Sequence, residues 1–150
     1  VRAVVQRVSE AKVEVGRDVL ARIGKGVVVL LAVAEDDEEK DADFMANKLS
    51  HLRLFSDEEG RLNLSMRDVG GEILLISNFT VLGNTKKGHR PSYAKAATAE
   101  KAEKFYNMVL ESLKGKGLPA FGGKFGAKMQ VSLVNDGPVT LIVDSKGGDR

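Results

Sequence analysis

The chain is 150 residues long, contains no cysteine, and carries a formal charge of +2 with only two histidines. That length implies one domain over 1–150 with room for a core built without disulfides or metal, and the missing cysteines exclude thiolate nucleophiles, Cys-ligated zinc and a disulfide framework. Near-neutral charge does not announce a nucleic-acid binder, no segment approaches the ~18 to 20 apolar residues that span a bilayer, and no basic region leads an apolar stretch at the N-terminus, so a soluble, cytoplasmic protein with no membrane association is expected.

Apolar alternation predicts strands over 1–8, 12–15 and 19–23, a meander that turns at Gly16-Arg17-Asp18, and the apolar run 27–33 predicts a central strand. A helix follows, capped by Asp36 or Asp37, with Ala42, Met45, Ala46, Leu49 and Leu52 forming one stripe and an end near Leu52. Residues 53–55 read as extended, 57–60 as a turn, and Gly70-Gly71 precedes the buried run 73–76. A polar loop spans 83–91. Thr98 caps a second helix that presents Ala102, Phe105, Tyr106, Val109, Leu110 and Leu113 on one face and closes at Gly115. Two antiparallel strands, alternating at Met129, Val131, Leu133 and at Val139, Leu141, Val143, complete the chain, joined by Asn135-Asp136-Gly137-Pro138, which alone reads as a hairpin turn. The sum is an α+β domain whose sheet curls toward a barrel with two helices covering one side.

Charge is distributed unevenly. The acidic run Glu35-Asp36-Asp37-Glu38-Glu39 opens the first helix, where anions favour the dipole. Basic residues gather at Lys86-Lys87-Gly88-His89-Arg90, at Lys114-Gly115-Lys116 and in the C-terminal tail. The hydrolase inventories are nearly empty: His51 and His89 lie in no His-x-x-x-His or Glu-x-x-His pattern, there is no Gly-x-Ser-x-Gly elbow, and Gly24-Lys25-Gly26 is a turn too short to cradle phosphate. Neither a metal site nor a Ser-His-Asp triad is expected.

Two corners remain in which an apolar strand ends in small polar groups: Ser77-Asn78-Phe79-Thr80-Val81 and Asn135-Asp136-Gly137-Pro138-Val139-Thr140. Strand ends of this kind form pockets. Ser77 and Thr80 also have an ordinary reading as residues bonding their own backbone, and a Gly-Pro pair taken alone is commonly trans. The two segments closely resemble the signature motifs of the D-aminoacyl-tRNA deacylases, Ser-Gln-Phe-Thr-Leu and Asn-X-Gly-Pro-Val-Thr. Family-like segments continue along the chain: Arg2-Ala3-Val4-Val5-Gln6-Arg7-Val8, Asn63-Leu64-Ser65, Asp68-Val69-Gly70-Gly71-Glu72, Lys87-Gly88-His89-Arg90-Pro91-Ser92 and Phe125-Gly126-Ala127-Lys128-Met129-Gln130-Val131. Asn78 stands where the family usually has Gln, and His89 where Arg is common.

The resemblance implies the same fold, a homodimer, no cofactor, and hydrolysis of the ester in D-aminoacyl-tRNA; Gly-tRNA, Gly-tRNA(Ala) included, is expected to be cleaved too, because glycine has no side chain to reject. It carries Ser77, Asn78, Phe79 and Thr80 to the reaction centre. No general base is evident, so the chemistry falls to orientation of a ribose hydroxyl and a water, with Phe79 and Thr80 offering main-chain donors to the oxyanion. The Thr80 hydroxyl orients water or ribose, or in a rival scheme is the nucleophile, which lacks an activating base. The Phe79 ring reads as core packing. The resemblance further implies a cis Gly137-Pro138 peptide inserted into the partner's pocket, which rejects L side chains by exclusion, with Arg7 locking its carbonyls and Thr140 bonding the corner or the substrate. Phe125 and Met129 form an apolar wall near the adenosine or serve the core, and Lys86, Lys87 and Arg90 meet tRNA phosphates. Two other functions fit the residues: editing of a mischarged L-aminoacyl-tRNA, for which a trans Gly137-Pro138 bond is the mark, and non-catalytic nucleic-acid binding through the basic loop.

Overall fold

The computed structural model describes residues 1–147; Arg150, the last basic residue of the tail, lies outside the described residues. Its first element, β1 (Arg2–Val15), is one long strand where a break was expected. β2 (Asp18–Ile23) and β3 (Gly26–Ala32) together form the return arm of a hairpin on it, with Val15 opposite Asp18 and Arg2 opposite Ala32. The discontinuity predicted near residue 10 survives as a slip in alternation: Val8 and Ala11 are buried while Ser9 and Glu10 between them are exposed.

α1 (Glu39–His51) follows, then the small hairpin β4 (Phe55–Ser56) and β5 (Leu62–Leu64), the single-turn α2 (Met66–Val69), β6 (Glu72–Ser77), a one-turn 3₁₀ helix (Phe79–Leu82), α3 (Ala99–Gly115), β7 (Ala120–Gly122) and β8 (Gln130–Asp144). β6 joins β3 in parallel and β7 joins β6 in parallel, while β8 runs antiparallel along the other edge of β1. The result is a mixed α+β fold with a nearly closed, barrel-like sheet and three helices, one more than expected. At Gly26, where β3 meets β6, a Cβ would collide with the Glu72 backbone, so only glycine permits the approach.

Residues on β1, β3 and β6 alternate between two cores. Val5, Val29, Leu31, Ile73 and Leu75 pack outward against Met45, Leu49, Phe105, Val109 and Leu113 of α1 and α3. Val8, Val13, Val28, Leu74 and Ile76 face the inside of the curl, where Met129, Val131 and Leu133 close over them. The continuous apolar runs of β3 and β6 follow from burial on both faces.

Three local expectations need correction. Neither Asp36 nor Asp37 caps α1: Asp37 is engaged with the Ala34 N–H at 2.7 Å and with the Val1 ammonium, so Glu38 becomes the cap and Asp41 accepts its N–H at 2.7 Å. α3 is capped by Thr98 as expected, but it runs through Gly115, and Gly117, at φ 80°, takes the left-handed position that releases the chain. Asn135-Asp136-Gly137-Pro138 does not reverse the chain. β8 pairs with β1 on both sides of it, Asn135 with Val8 and Thr140 with Gln6, so these residues form a bulge in one strand. The two terminal strands are therefore one.

Candidate functional site

β6 ends at the first corner. Ser77 still pairs with Leu31, and the Asn78 N–H still donates to the Leu31 carbonyl at 2.8 Å, before the chain tightens into the 3₁₀ turn. The N–H groups of Phe79 and Thr80 open that turn and have no acceptor within it. Nor does the Asn78 side chain cap them, because its Oδ1 accepts the Thr80 hydroxyl at 2.5 Å. Ser77 and Asn78 are half-buried, and Phe79 and Thr80 exposed.

The corner opens on a cavity of about 690 Å³ lined by Ser77, Asn78, Phe79, Tyr93, Phe125 and Met129, with Leu31, Val33, Ala97 and Ala102 among its apolar walls. The Phe79 ring is 55% exposed and packs edge-on against Tyr93 at 5.1 Å, so it forms a lip of the cavity; the core role expected for it is wrong. Phe125 and Met129 line the cavity, and they also pack on the cores as expected, Phe125 on the helix-side one and Met129 on the inner one. Beneath this wall the buried Tyr106 hydroxyl donates to the Leu75 carbonyl at 2.7 Å. Burial pushes the Tyr106 hydroxyl above its ordinary pKa, against the lowering effect of a hydrogen bond from the Gly123 backbone.

Lys86, Lys87, His89 and Arg90 are exposed on a loop pinned at its neck by two backbone hydrogen bonds between Asn84 and Ser92, of 2.7 and 2.9 Å. Tyr93 follows the neck directly, so the loop is tied to the Phe79 lip. His51 sits in the last turn of α1, its Nδ1 2.8 Å from the Asn47 carbonyl, and neither histidine lines the cavity. Among the described residues there is no group of three or more His, Cys, Asp or Glu able to hold a metal, and no helix long and apolar enough to cross a membrane.

The second corner lies elsewhere in the chain. Gly137, Pro138, Thr140 and Arg7 do not line the cavity. The Gly137–Pro138 peptide is cis, and Gly137 has φ 141°, with the Val139 nitrogen 2.7 Å from where a Cβ would stand. Arg7 does not bond the Gly137 or Pro138 carbonyls as expected: its Nε donates to the Asp136 carbonyl and its Nη1 to the Leu54 carbonyl, each at 2.9 Å, bracing the bulge from just before the glycine. Asn135, to which no role was assigned, spans the bulge: its Nδ2 donates to the Val139 carbonyl and to Thr140 Oγ1, and its Oδ1 accepts the Val139 N–H. Thr140 Oγ1 also accepts from Gln6 at 3.3 Å.

A family model described as D-Tyr-tRNA(Tyr) deacylase matches residues 4–144. The chain belongs to this family. It is 52% identical over 145 residues to the D-aminoacyl-tRNA deacylase of Caldicellulosiruptor bescii and 48% identical to that of Thermoanaerobacter sp. strain X514, in both cases covering 97% of each chain. Among solved structures it is similar to a c-Myc DNA Unwinding Element Binding Protein, with a TM-score of 0.90 and 42% identity over 96% of this chain and 98% of that one. A probable eukaryotic D-amino acid tRNA deacylase shares the fold at a TM-score of 0.82 and 17% identity, over 95% of this chain and 98% of that one.

Proposed function

We propose that the chain hydrolyses the ester joining a D-amino acid to the terminal adenosine of tRNA, acts likewise on glycyl-tRNA, and spares L-aminoacyl-tRNA, as a proofreading step in translation. The observation that carries this reading is the Ser77–Thr80 corner, whose Ser77, Asn78 and Phe79 line a largely apolar cavity with Thr80 just outside the lining, in a chain 52% identical to a D-aminoacyl-tRNA deacylase along nearly its whole length. The cavity volume of about 690 Å³ lies within the range of small-molecule sites.

The adenosine lies against Phe125 and Met129, and the ester carbonyl faces the N–H groups of Phe79 and Thr80, which stabilise the oxyanion as it forms. Hydrogen-bonded to Asn78, the Thr80 hydroxyl has a fixed direction and orients the attacking water or the ribose hydroxyl. No base adjoins it, which disfavours its acting as nucleophile. Lys86, Lys87 and Arg90 meet the phosphates of the acceptor end.

Chirality is selected by main-chain atoms of the Gly137–Pro138 bulge of a second copy, rigidly braced by Arg7 and Asn135. Such a selector rejects an L side chain by collision and has nothing to reject in glycine. Support for a second copy comes from β8: this 15-residue strand pairs only with β1 among the described residues, and it exposes Val134, Leu141 and Ile142. Matched D-Tyr-, L-Tyr- and Gly-tRNA, incubated with the protein and EDTA, test the reading. Loss of the D and glycyl esters with the L ester spared is expected; an L ester cleaved as fast as the D ester, or tRNA bound without any D-specific cleavage, overturns it.

A further inference from the structure

A second cleft, of about 410 Å³, lies beside the candidate site and is lined by Glu35, Asp36, Gly83, Asn84, Lys86 and Lys95. It shares no lining residue with the main cavity, yet the two are back to back. Val33 and Ala96 line the cavity while their neighbours Ala34 and Lys95 line the cleft. The wall between them is a small apolar cluster of Ala32, Ala34, Leu82 and Ala96, held by a strand-like bridge between Ala34 and Ala96 and by the Glu35 N–H bond to the Lys95 carbonyl at 2.9 Å. The 3₁₀ turn crosses this wall, with Phe79 on the cavity side and Leu82 on the cleft side. At about 2 Å of rise per residue those two positions are about 6 Å apart along the turn.

The chemistry of the cleft differs from that of the cavity. Among the described residues the Lys86 and Lys95 ammonium groups make no ion pair, and the Glu35 carboxylate carries neither hydrogen bond nor ion pair, although the Glu35 backbone is engaged at both ends. Unpaired cations beside an unpaired carboxylate suit a ligand that is anionic at one point and offers a hydrogen-bond donor at another. A cytidine nucleotide has this combination: a phosphate for the lysines and an exocyclic amine of the kind that Glu and Asp accept from.

Resting on the reading of the main cavity as the site of the terminal adenosine, we infer that this cleft takes the penultimate nucleotide of the tRNA 3′ end, with Lys95 and Lys86 on the phosphate that joins it to the adenosine and Glu35 on the cytosine amine. The single-stranded tail then straddles the Ala32–Leu82–Ala96 wall, one nucleotide on each side. An apolar partition keeps the phosphate out of the cavity, and the fixed step between the two pockets sets how far the ester reaches toward Ser77–Thr80.

The test uses D-tyrosyl esters of adenosine, of the dinucleotide CpA and of UpA, with D-Tyr-tRNA alongside. A kcat/KM at least tenfold higher for the CpA ester than for the adenosine ester is expected, with UpA between them. Lys95→Ala should bring the CpA-to-adenosine ratio toward one, and Glu35→Gln should erase the difference between CpA and UpA. Equal kcat/KM for the adenosine and CpA esters, both cleaved, overturns the second subsite and leaves the main site standing. A CpA advantage that persists in Lys95→Ala, or dinucleotide esters that stay inert while D-Tyr-tRNA is cleaved, also overturns it. Failure to cleave D-Tyr-tRNA as well removes the main-site reading and this inference with it.

Discussion

Tyr106→Phe deletes one oxygen from beneath the candidate site and should be felt both in stability and in catalysis. The Tyr106 hydroxyl donates to the Leu75 carbonyl at 2.7 Å and accepts from the Gly123 backbone, so it bridges β6 to the chain just beyond β7, whose pairing with β6 stops at Gly122. Leu75 is fully buried, so its carbonyl loses a partner that water does not replace, whereas Gly123 is only partly buried. One buried unsatisfied acceptor costs about 1 to 3 kcal/mol, and about 2 kcal/mol is expected here. For a chain of this size that lowers Tm by about 4 to 8 °C. Because Leu75 stands two residues before Ser77 and the Tyr106 ring leans on Phe125, deacylation should fall as well, mainly through KM. The assay is urea unfolding beside deacylation of D-Tyr-tRNA. A second variant gives a coupling: a Cβ at Gly122 would collide with the same hydroxyl, so Gly122→Ala should cost less in the Tyr106→Phe background than in the wild type. A Tyr106→Phe loss under about 0.5 kcal/mol, the size of an ordinary surface change, or strictly additive variants, would refute the bridging role.

Phe79→Pro removes the first donor N–H at a helix-initiating position that tolerates proline, after an Asn78 already outside the helical region at φ −150° and ψ 88°; D-Tyr-tRNA deacylation should drop about 10²- to 10³-fold, with Phe79→Ala, which removes only the ring, losing far less. Asp41 is held at about 2, since hydrogen bonds from the Glu38 backbone, Ser145 and Lys146 outweigh the upward push of burial. Its folded value lies below the ordinary 3.8, so the stabilisation is complete above about pH 5 and is lost as pH falls toward 2. The shift is worth about 2 kcal/mol for this buried carboxylate, and acid titration of wild type against Asp41→Asn should show that slope only in the wild type. Neutralising Lys86, Lys87 and Arg90 together should reduce the slope of log affinity for tRNA against log salt by about 2 to 3 while leaving the D-to-L ratio unchanged; an unaltered slope places the phosphates elsewhere.

The parts of the fold that were legible are those with a strong local signal. The uninterrupted apolar runs of β3 and β6 announce strands covered on both faces, and the stripes of α1 and α3 announce their buried sides. α2 has only four residues, too few for any period, although its Ser65 and Asp68 form a reciprocal cap that was visible in the residues. The Asn135–Pro138 corner misled because its residues have the local preferences of a turn, while the outcome was decided by β1, which pairs with β8 on both sides of it. Helix capping failed at Asp37 for a similar reason: a partner distant in sequence, the Val1 ammonium, holds the carboxylate. At the candidate site, Ser77, Asn78, Phe79, Phe125 and Met129 could be named because motif and cavity coincide. Tyr93 and the Asn84–Ser92 neck were invisible, since their significance lies only in what they touch across the fold.

In the proposed mechanism a working site combines the Ser77–Thr80 corner of one copy with the Gly137–Pro138 bulge of another. Phe79→Pro disables the first and Gly137→Ala, whose Cβ would stand 2.7 Å from the Val139 nitrogen, disables the second. In a mixed dimer one of the two sites would contain neither change. Unfolding and refolding the two inactive variants together should therefore restore D-Tyr-tRNA hydrolysis, to about a quarter of the wild-type rate for random pairing. Folded mixtures no more active than either variant alone would show that both corners must belong to the same chain.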